Sequence, residues 1–304
     1  MTVFSLKIIA IICMLLDHIG AVFPAFTPPL FRWIGRISFP IFAFLITEGC
    51  SHTKNMTKYM INMGIFALIS EIPFDLAFNQ SFYILRDYPL EINFFRSTNI
   101  FYTLFISIAC IYTYEKLIQK ENQYLTLIPL IFLPSIKIVN YFTNTFIVTL
   151  GIIVICILCI FIFIYILQNK KNSHEIKIRN RILSIIPITP FVILSSVLGA
   201  DYGIPAIILI VFMYFGKKKM NRIIILIIGI LYMYLFPLII YPSYRNMINY
   251  MYLLFSFVPI LLITFYNGKR GIFIKWVFYW IYPIHLSIIA FINIILVRPI
   301  LNGF

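Results

Sequence analysis

The stretch LKIIAIICMLLDHIGAVF, Leu6 to Phe23, has a basic residue near its start, an apolar body and then an aspartate–histidine pair, Asp17 and His18. An α-helix rising 1.5 Å per residue needs roughly 20 mostly apolar residues to cross a hydrocarbon core about 30 Å thick. A secretory leader shares the basic start and the apolar core. Here Asp17 and His18 interrupt that core and no small-x-small cleavage motif follows, so the run is read as a mature membrane helix.

The rest of the chain repeats this pattern. Of 304 residues, 62% are hydrophobic and 11% charged, against roughly 45–50% apolar and about 25% charged in ordinary soluble domains. That excess excludes a soluble globular protein. Apolar runs that break at charged or Asn-rich clusters predict helices over 6–23, 31–50, 59–78, 99–115, 124–141, 145–167, 182–199, 202–215, 222–241, 249–265 and 275–297. The expected fold is all-α, a polytopic transmembrane bundle of about 11 helices (range roughly 9–11) in a single domain over residues 1–304. The longest polar stretches, 79–98 and 168–181, leave no room for a soluble domain, and no internal repeat is visible.

The formal charge of +14 could suggest a nucleic-acid partner in a soluble chain, but in a membrane chain basic residues collect in cytoplasmic loops. With the N-terminus inside, Arg32, Arg36, Arg86, Arg96, Lys137, Arg245 and Arg298 fall toward the outside, and the other 17 of the 24 Lys and Arg fall inside. The bias supports a cytoplasmic N-terminus and an outer C-terminus, with lipid rather than nucleic acid as the surrounding partner. The five cysteines all lie in apolar runs and their number is odd, so neither a disulfide framework nor a metal site is expected. Cys156 and Cys159 are spaced C-x-x-C, but without a histidine or acid beside them they read as packing residues.

Charges inside a bilayer are costly and mark functional positions. Asp17 and His18 sit near the outer end of the first helix. Arg32 and Arg36, spaced i, i+4, share a face of the second, also near its outer end. Glu71 and Asp75 are likewise i, i+4 on the third helix, with Pro73 between them, and Asp201 falls in an outer turn. Two cations, four acids and a histidine thus converge at one depth, as the lining of an outward-facing polar cavity would. The competing reading of Arg36 is a strut that pairs with Glu71 or Asp75 to join helices. Since neighbours on a helix point about 100° apart, the group that orients His18 is left open among Asp17, Glu71, Asp75 and Asp201.

His285 lies near the middle of the last helix, one turn after Tyr282. It reads either as part of this centre or as a buried histidine bonded to a nearby carbonyl. Glu48 and His52, i, i+4 near an inner helix end, read as a structural or loop-anchoring pair. The inner turn Asn267, Gly268, Lys269, Arg270, Gly271 sets two cations between two glycines, a sequence suited to holding phosphate and also typical of a positive-inside loop.

Several of these stretches carry a resemblance. LKIIAIICMLLDHIG (Leu6–Gly20), RWIGRISFPIFAFLITEG (Arg32–Gly49), HTKNMTKY (His52–Tyr59) and FALISEIPFDLAF (Phe66–Phe78) resemble the TraX family, named for the F-pilin acetylation protein. NIFYTL from Asn99, ADYG from Ala200, YNGKRG from Tyr266 and FYWIYPIHL (Phe278–Leu286) resemble it too, while residues 115–198 do so weakly. The resemblance implies an integral membrane acyltransferase that moves an acyl group from cytoplasmic acyl-CoA to an acceptor at or beyond the far membrane face. It implies that Asp17 and His18 belong to the reaction centre, that Arg36, Glu71 and Asp75 shape it, and that Tyr282 and His285 match a Tyr-x-x-His ending of related transferases.

Acyl transfer needs a base for the nucleophile's proton and stabilisation of the developing oxyanion. The expected base is His18, with Arg36 stabilising negative charge or orienting the acceptor, and with Asp201 and His285 among the catalytic candidates. Asn267, Lys269 and Arg270, with Tyr282, are the expected binding residues for acetyl-CoA. The acceptor is an amine or hydroxyl of a pilin, peptide or glycan, no metal is expected, and the location is the bacterial cytoplasmic membrane. The alternative is a proton-coupled transporter or lipid flippase that uses the same charges as a proton relay.

Overall fold

A computed structural model of the chain describes residues 1–83, 97–119, 191, 194, 195, 198–272 and 274–297. They are all-α: α1 (Val3–Val22), α2 (Leu30–Gly35), α3 (Ser38–His52), α4 (Met56–Tyr83), α5 (Ile100–Gln119), α6 (Gly203–Phe215), α7 (Lys219–Ile230), α8 (Phe236–Ile240), α9 (Met247–Ser256), α10 (Val258–Thr264) and α11 (Lys275–Ile292). All eight helices expected within the described residues are present. Those expected at 124–141 and 145–167, nearly all of 182–199, and Cys156 and Cys159 lie outside them.

Of the about 11 expected spans, eight fall among the described residues. Among the described residues six stretches are long and apolar enough to cross a membrane: Val3–Val22, Leu30–His52, Met56–Phe78, Lys219–Ile240, Met247–Thr264 and Lys275–Ile295. The run expected at 202–215 forms the 13-residue helix α6, and at 1.5 Å per residue that is about 20 Å, short of a hydrocarbon core.

Several expected helices are also interrupted, and proline accounts for the positions. The ring of a helical proline clashes with the carbonyl four residues earlier. Pro40 sets that clash at Arg36, where α2 ends and α3 begins two residues later. Pro237 falls just after a five-residue π-helical turn, Leu231–Leu235, that joins α7 to α8. Pro259 stands in the first turn of α10, next to the break at Phe257.

The chain divides into two compact units, one comprising Met1–Thr53, Gly64–Phe94 and Leu209–Phe304, the other Lys54–Met63 and Phe95–Ile208. In the first, α1 packs on α2, α3 and α11, and α10 packs on α3 and α7. Its interior includes Leu6, Ala10, Ile41, Ala43, Ile263 and Leu286, all fully buried, while Ile12, Ile224, Ile228, Phe236, Leu254 and Ile288 stand exposed. A rim of large apolar side chains around an apolar core is what a lipid surround permits and water penalises.

The backbone N–H groups of Val3 and Phe4 donate to the carbonyls of Lys269 and Arg270 (2.9 and 3.1 Å). The start of α1 and the loop before α11 therefore lie at one end. In the second unit, Thr98 pairs with Ala200 in an isolated bridge, and the Thr103 hydroxyl donates to the Asp201 carbonyl (2.5 Å).

Candidate functional site

Parallel α1 and α11 bring His18 and His285 together. His285 Nδ1 lies 2.7 Å from the Ile281 carbonyl, and its Nε2 lies 2.7 Å from His18 Nδ1. A carbonyl only accepts, so the His285 proton sits on Nδ1 and, in the neutral ring, Nε2 carries the lone pair. His18 Nδ1–H then donates to that lone pair, and His18 Nε2 is left with a lone pair of its own. The ring planes are 17° apart with centroids 4.9 Å apart. The nitrogens are far closer than the centroids, so the rings meet edge to edge, as an in-plane N–H···N bond requires.

Aromatic rings hold this pair. Phe78 of α4 meets the His18 ring edge-on at 5.2 Å, and Tyr282 meets His18 and His285 at 5.8 and 5.4 Å. Asp75 lies one turn before Phe78 and Glu71 one turn before Asp75, so the two acids share a face with the ring that touches His18. Both are buried, at 3% and 1% exposure for Glu71 and Asp75.

Asp17 faces a different way. Arg36 Nη2 donates to both of its carboxylate oxygens (2.6 and 2.7 Å), and Arg32 Nη1 donates to Oδ1 (2.7 Å) and to the Asp17 carbonyl (3.1 Å). Arg36 also lies over the Tyr252 ring, 5.0 Å from its centroid. A Cβ on Gly35 would come within 2.2 Å of Asp17 Oδ1, so the carboxylate occupies the space a side chain there would need. The close approach of α1 and α2 thus depends on glycine. Asp17 thus carries two guanidinium partners.

The expected site residues therefore separate. His18 and His285 meet directly, with Tyr282 against them both; Tyr282 stands at the histidine pair, about 10 Å up α11 from Lys275 by helical rise. Asp17 binds Arg36 and Arg32, while the contact on His18 Nδ1 comes from His285. Asp201 belongs to the second unit, where its Oδ1 accepts from the Tyr202 N–H (3.0 Å). Asn267, Lys269 and Arg270 form an exposed loop at the start of α11, with positive φ at Gly268 (75°) and Gly271 (72°). Asn267 Oδ1 accepts from the Lys269 N–H (3.0 Å), which tightens the turn.

Phe78 and Tyr252 were not anticipated, nor was Asn293, wholly buried at the C-cap of α11, eight residues after His285. Its spacing, 285, 289, 293, was the signal available. No group of three His, Cys, Asp or Glu among the described residues could hold a metal ion.

Comparison with known proteins places this geometry in context. The TraX protein family matches residues 4–158, a range that contains Asp17, His18, Arg36, Glu71 and Asp75. The chain is also similar to the probable fimbrial assembly protein FimC, serogroup H1, of Dichelobacter nodosus, at 31% identity over 115 residues. That alignment covers 36% of this chain and 44% of the relative, less than half of that protein's length. No solved structure matches.

Proposed function

The chain belongs to the TraX family, and on that premise we propose that it is a multi-pass membrane acetyltransferase using His18 as general base. The observation that carries the reading is the chain Ile281 carbonyl, His285, His18, which leaves the lone pair of His18 Nε2 for an incoming nucleophile. His285 fills the place that a carboxylate takes in many acid–base pairs, fixing the tautomer of the base.

In this reading acetyl-CoA is the donor and an amine or hydroxyl of a pilin, peptide or glycan is the acceptor. The acceptor's lone pair forms a bond to the thioester carbonyl carbon while its proton passes to His18 Nε2. The carbonyl electron pair moves onto oxygen, where the guanidinium of Arg32 or Arg36 favours it. Its return expels the sulfur, the C–S bond breaks, and the proton moves from His18 to sulfur to give free CoA. Asn267, Lys269 and Arg270 hold the donor's phosphates at the other end of α11. From Lys275 to His285 is ten residues, about 15 Å at 1.5 Å per residue. An extended pantetheine arm is of that order, half a hydrocarbon thickness of about 30 Å. The membrane is the bacterial cytoplasmic membrane.

The test is release of free thiol by the purified protein in proteoliposomes given acetyl-CoA and a short peptide with a free N-terminal amine. The wild type is expected to release CoA and acetylate the peptide, and His18→Ala to lose roughly 10²–10⁴-fold in rate. Undiminished release by His18→Ala would overturn the assignment.

A further inference from the structure

A second polar cluster lies in the same unit, at the end where α1 begins. Arg222, at 4% exposure, donates from Nη1 to Glu48, from Nη2 to the Ser51 hydroxyl (2.8 Å) and from Nε to the Gly216 carbonyl (3.0 Å). The other Glu48 oxygen accepts from the Tyr266 hydroxyl (2.9 Å). Burial and then the neighbouring Glu48 push the Tyr266 phenol well above its ordinary range, so it stays protonated and donating. Lys219 Nζ donates to the carbonyls of Thr264 (2.5 Å) and Tyr266 (2.8 Å).

These bonds grip one side of the segment that becomes the Asn267–Gly271 loop, and α1 grips the other. The Asn267 N–H donates to the Met1 carbonyl (2.9 Å), and the Lys269 and Arg270 carbonyls accept from Val3 and Phe4. A Cβ on Gly271 would come within 2.7 Å of the Thr2 hydroxyl oxygen, while nothing lies within 4 Å of that position on Gly268. The loop is fixed at its base and open at Gly268, with Lys269 and Arg270 exposed beside the opening.

A buried ion pair contributes little to stability compared with apolar packing, and its geometry is the more valuable product. Arg222 directs Nε and both of its terminal nitrogens to protein partners, so its own role is not ligand contact. It offsets the charge of Glu48, which would otherwise repel an anion at this end, and leaves that carboxylate to anchor Tyr266. Phosphates are well bound by backbone N–H groups and cations held beforehand in one arrangement.

We propose that Glu48, Arg222 and Tyr266 are positioning residues that set the Asn267–Gly271 loop for the nucleotide phosphates of the acyl donor. The inference rests on the acyl-CoA reading above and deepens it: the loop recognises the nucleotide end, separately from the chemistry at His18. Tyr266→Phe removes one anchor and keeps the ring in place. Glu48→Gln removes the charge as well and leaves Arg222 buried without its counter-ion, so the milder variant is the primary one.

The experiment uses the full chain in nanodiscs of phosphatidylcholine, which offers no net anionic lipid. Kd is measured for CoA, 3′-dephospho-CoA and pantetheine by competition against radiolabelled acetyl-CoA, and kcat/KM for acetyl-CoA and S-acetylpantetheine. The wild type should bind CoA more tightly than pantetheine, and Tyr266→Phe should reduce that preference about five- to tenfold, the worth of a typical net hydrogen bond. A variant that is merely less folded lowers active protein for both donors and leaves the preference intact, and that outcome overturns the proposal. So does a wild type that binds CoA and pantetheine equally. CoA binding with the expected Tyr266→Phe effect but without acetyl transfer would sustain the loop assignment and reject the transferase chemistry.

Discussion

Alanine in place of His285 removes the acceptor for the His18 Nδ1 proton, 2.7 Å away, and leaves that N–H against the rings of Phe78 and Tyr282. A donor stranded in such surroundings costs about 1–3 kcal/mol. The alternative is to move the proton to Nε2, which abolishes the base. At about 1.4 kcal/mol per factor of ten, kcat should fall between roughly fivefold and 150-fold. His285→Gln, whose side-chain carbonyl can accept the same proton, should recover part of the loss. Single-turnover release of CoA thiol, with each variant's melting temperature as a folding control, reads the effect. The decisive measurement is the double variant. If His285 acts through His18, adding His285→Ala to His18→Ala should cost almost nothing further, because the group it orients is already gone. Losses that multiply, or a His285→Ala enzyme within twofold of wild type, would refute the relay.

Three other outcomes follow from the same geometry. Gly35→Ala should destabilise by about 1–3 kcal/mol despite alanine's better helix propensity, since its Cβ would lie 2.2–2.3 Å from atoms of Asp17; thermal melting in detergent checks it, and a more stable variant would show that Asp17 does not pack there. Arg36→Lys replaces a guanidinium whose Nη2 reaches both Asp17 oxygens and whose Nε donates to the Arg32 carbonyl with a point charge, and acetyl transfer should fall about tenfold in protein that still folds; wild-type turnover would remove Arg36 from the centre. Cysteines introduced at Thr2 and Arg270 should react with a membrane-impermeant maleimide from one and the same side, because α1 begins against that loop; labelling from opposite sides would contradict the shared end.

Among the described residues, the apolar periodicity of the sequence was sufficient to locate the helices because a membrane span satisfies its own backbone and must be nearly continuous in apolar residues. The breaks were less legible. Pro40 lies inside an apolar run, and only its clash with the backbone at Arg36 reveals that the run is two helices. The positions of charge were legible too, since each intramembrane charge is conspicuous against its surroundings. Their partners were not. Glu71 and Asp75 were the partners weighed for Arg36, and the structure also gives it the Asp17 carboxylate, because Gly35 lets α1 come close enough. No spacing rule reports that Gly35 is the residue under Asp17.

Adjacency in sequence left the group that orients His18 open, Asp17 among the candidates. Asp17 and His18 point about 100° apart, so one helix can give its carboxylate to α2 and its imidazole to α11. What selects His285 among all groups on α11 is axial register. The Val3 and Phe4 bonds to Lys269 and Arg270 pin the start of α1 to the residues that precede α11. Within α1 and within α11 the height of each side chain is fixed by the residue count, and a shift of one residue moves a side chain by 1.5 Å along the axis and about 100° around it. A 2.7 Å hydrogen bond between ring nitrogens does not survive that change. The loop proposed to hold the donor's phosphates is therefore also the clamp that aligns the histidines, and the depth of the thioester and the depth of the base are set by the same few backbone bonds.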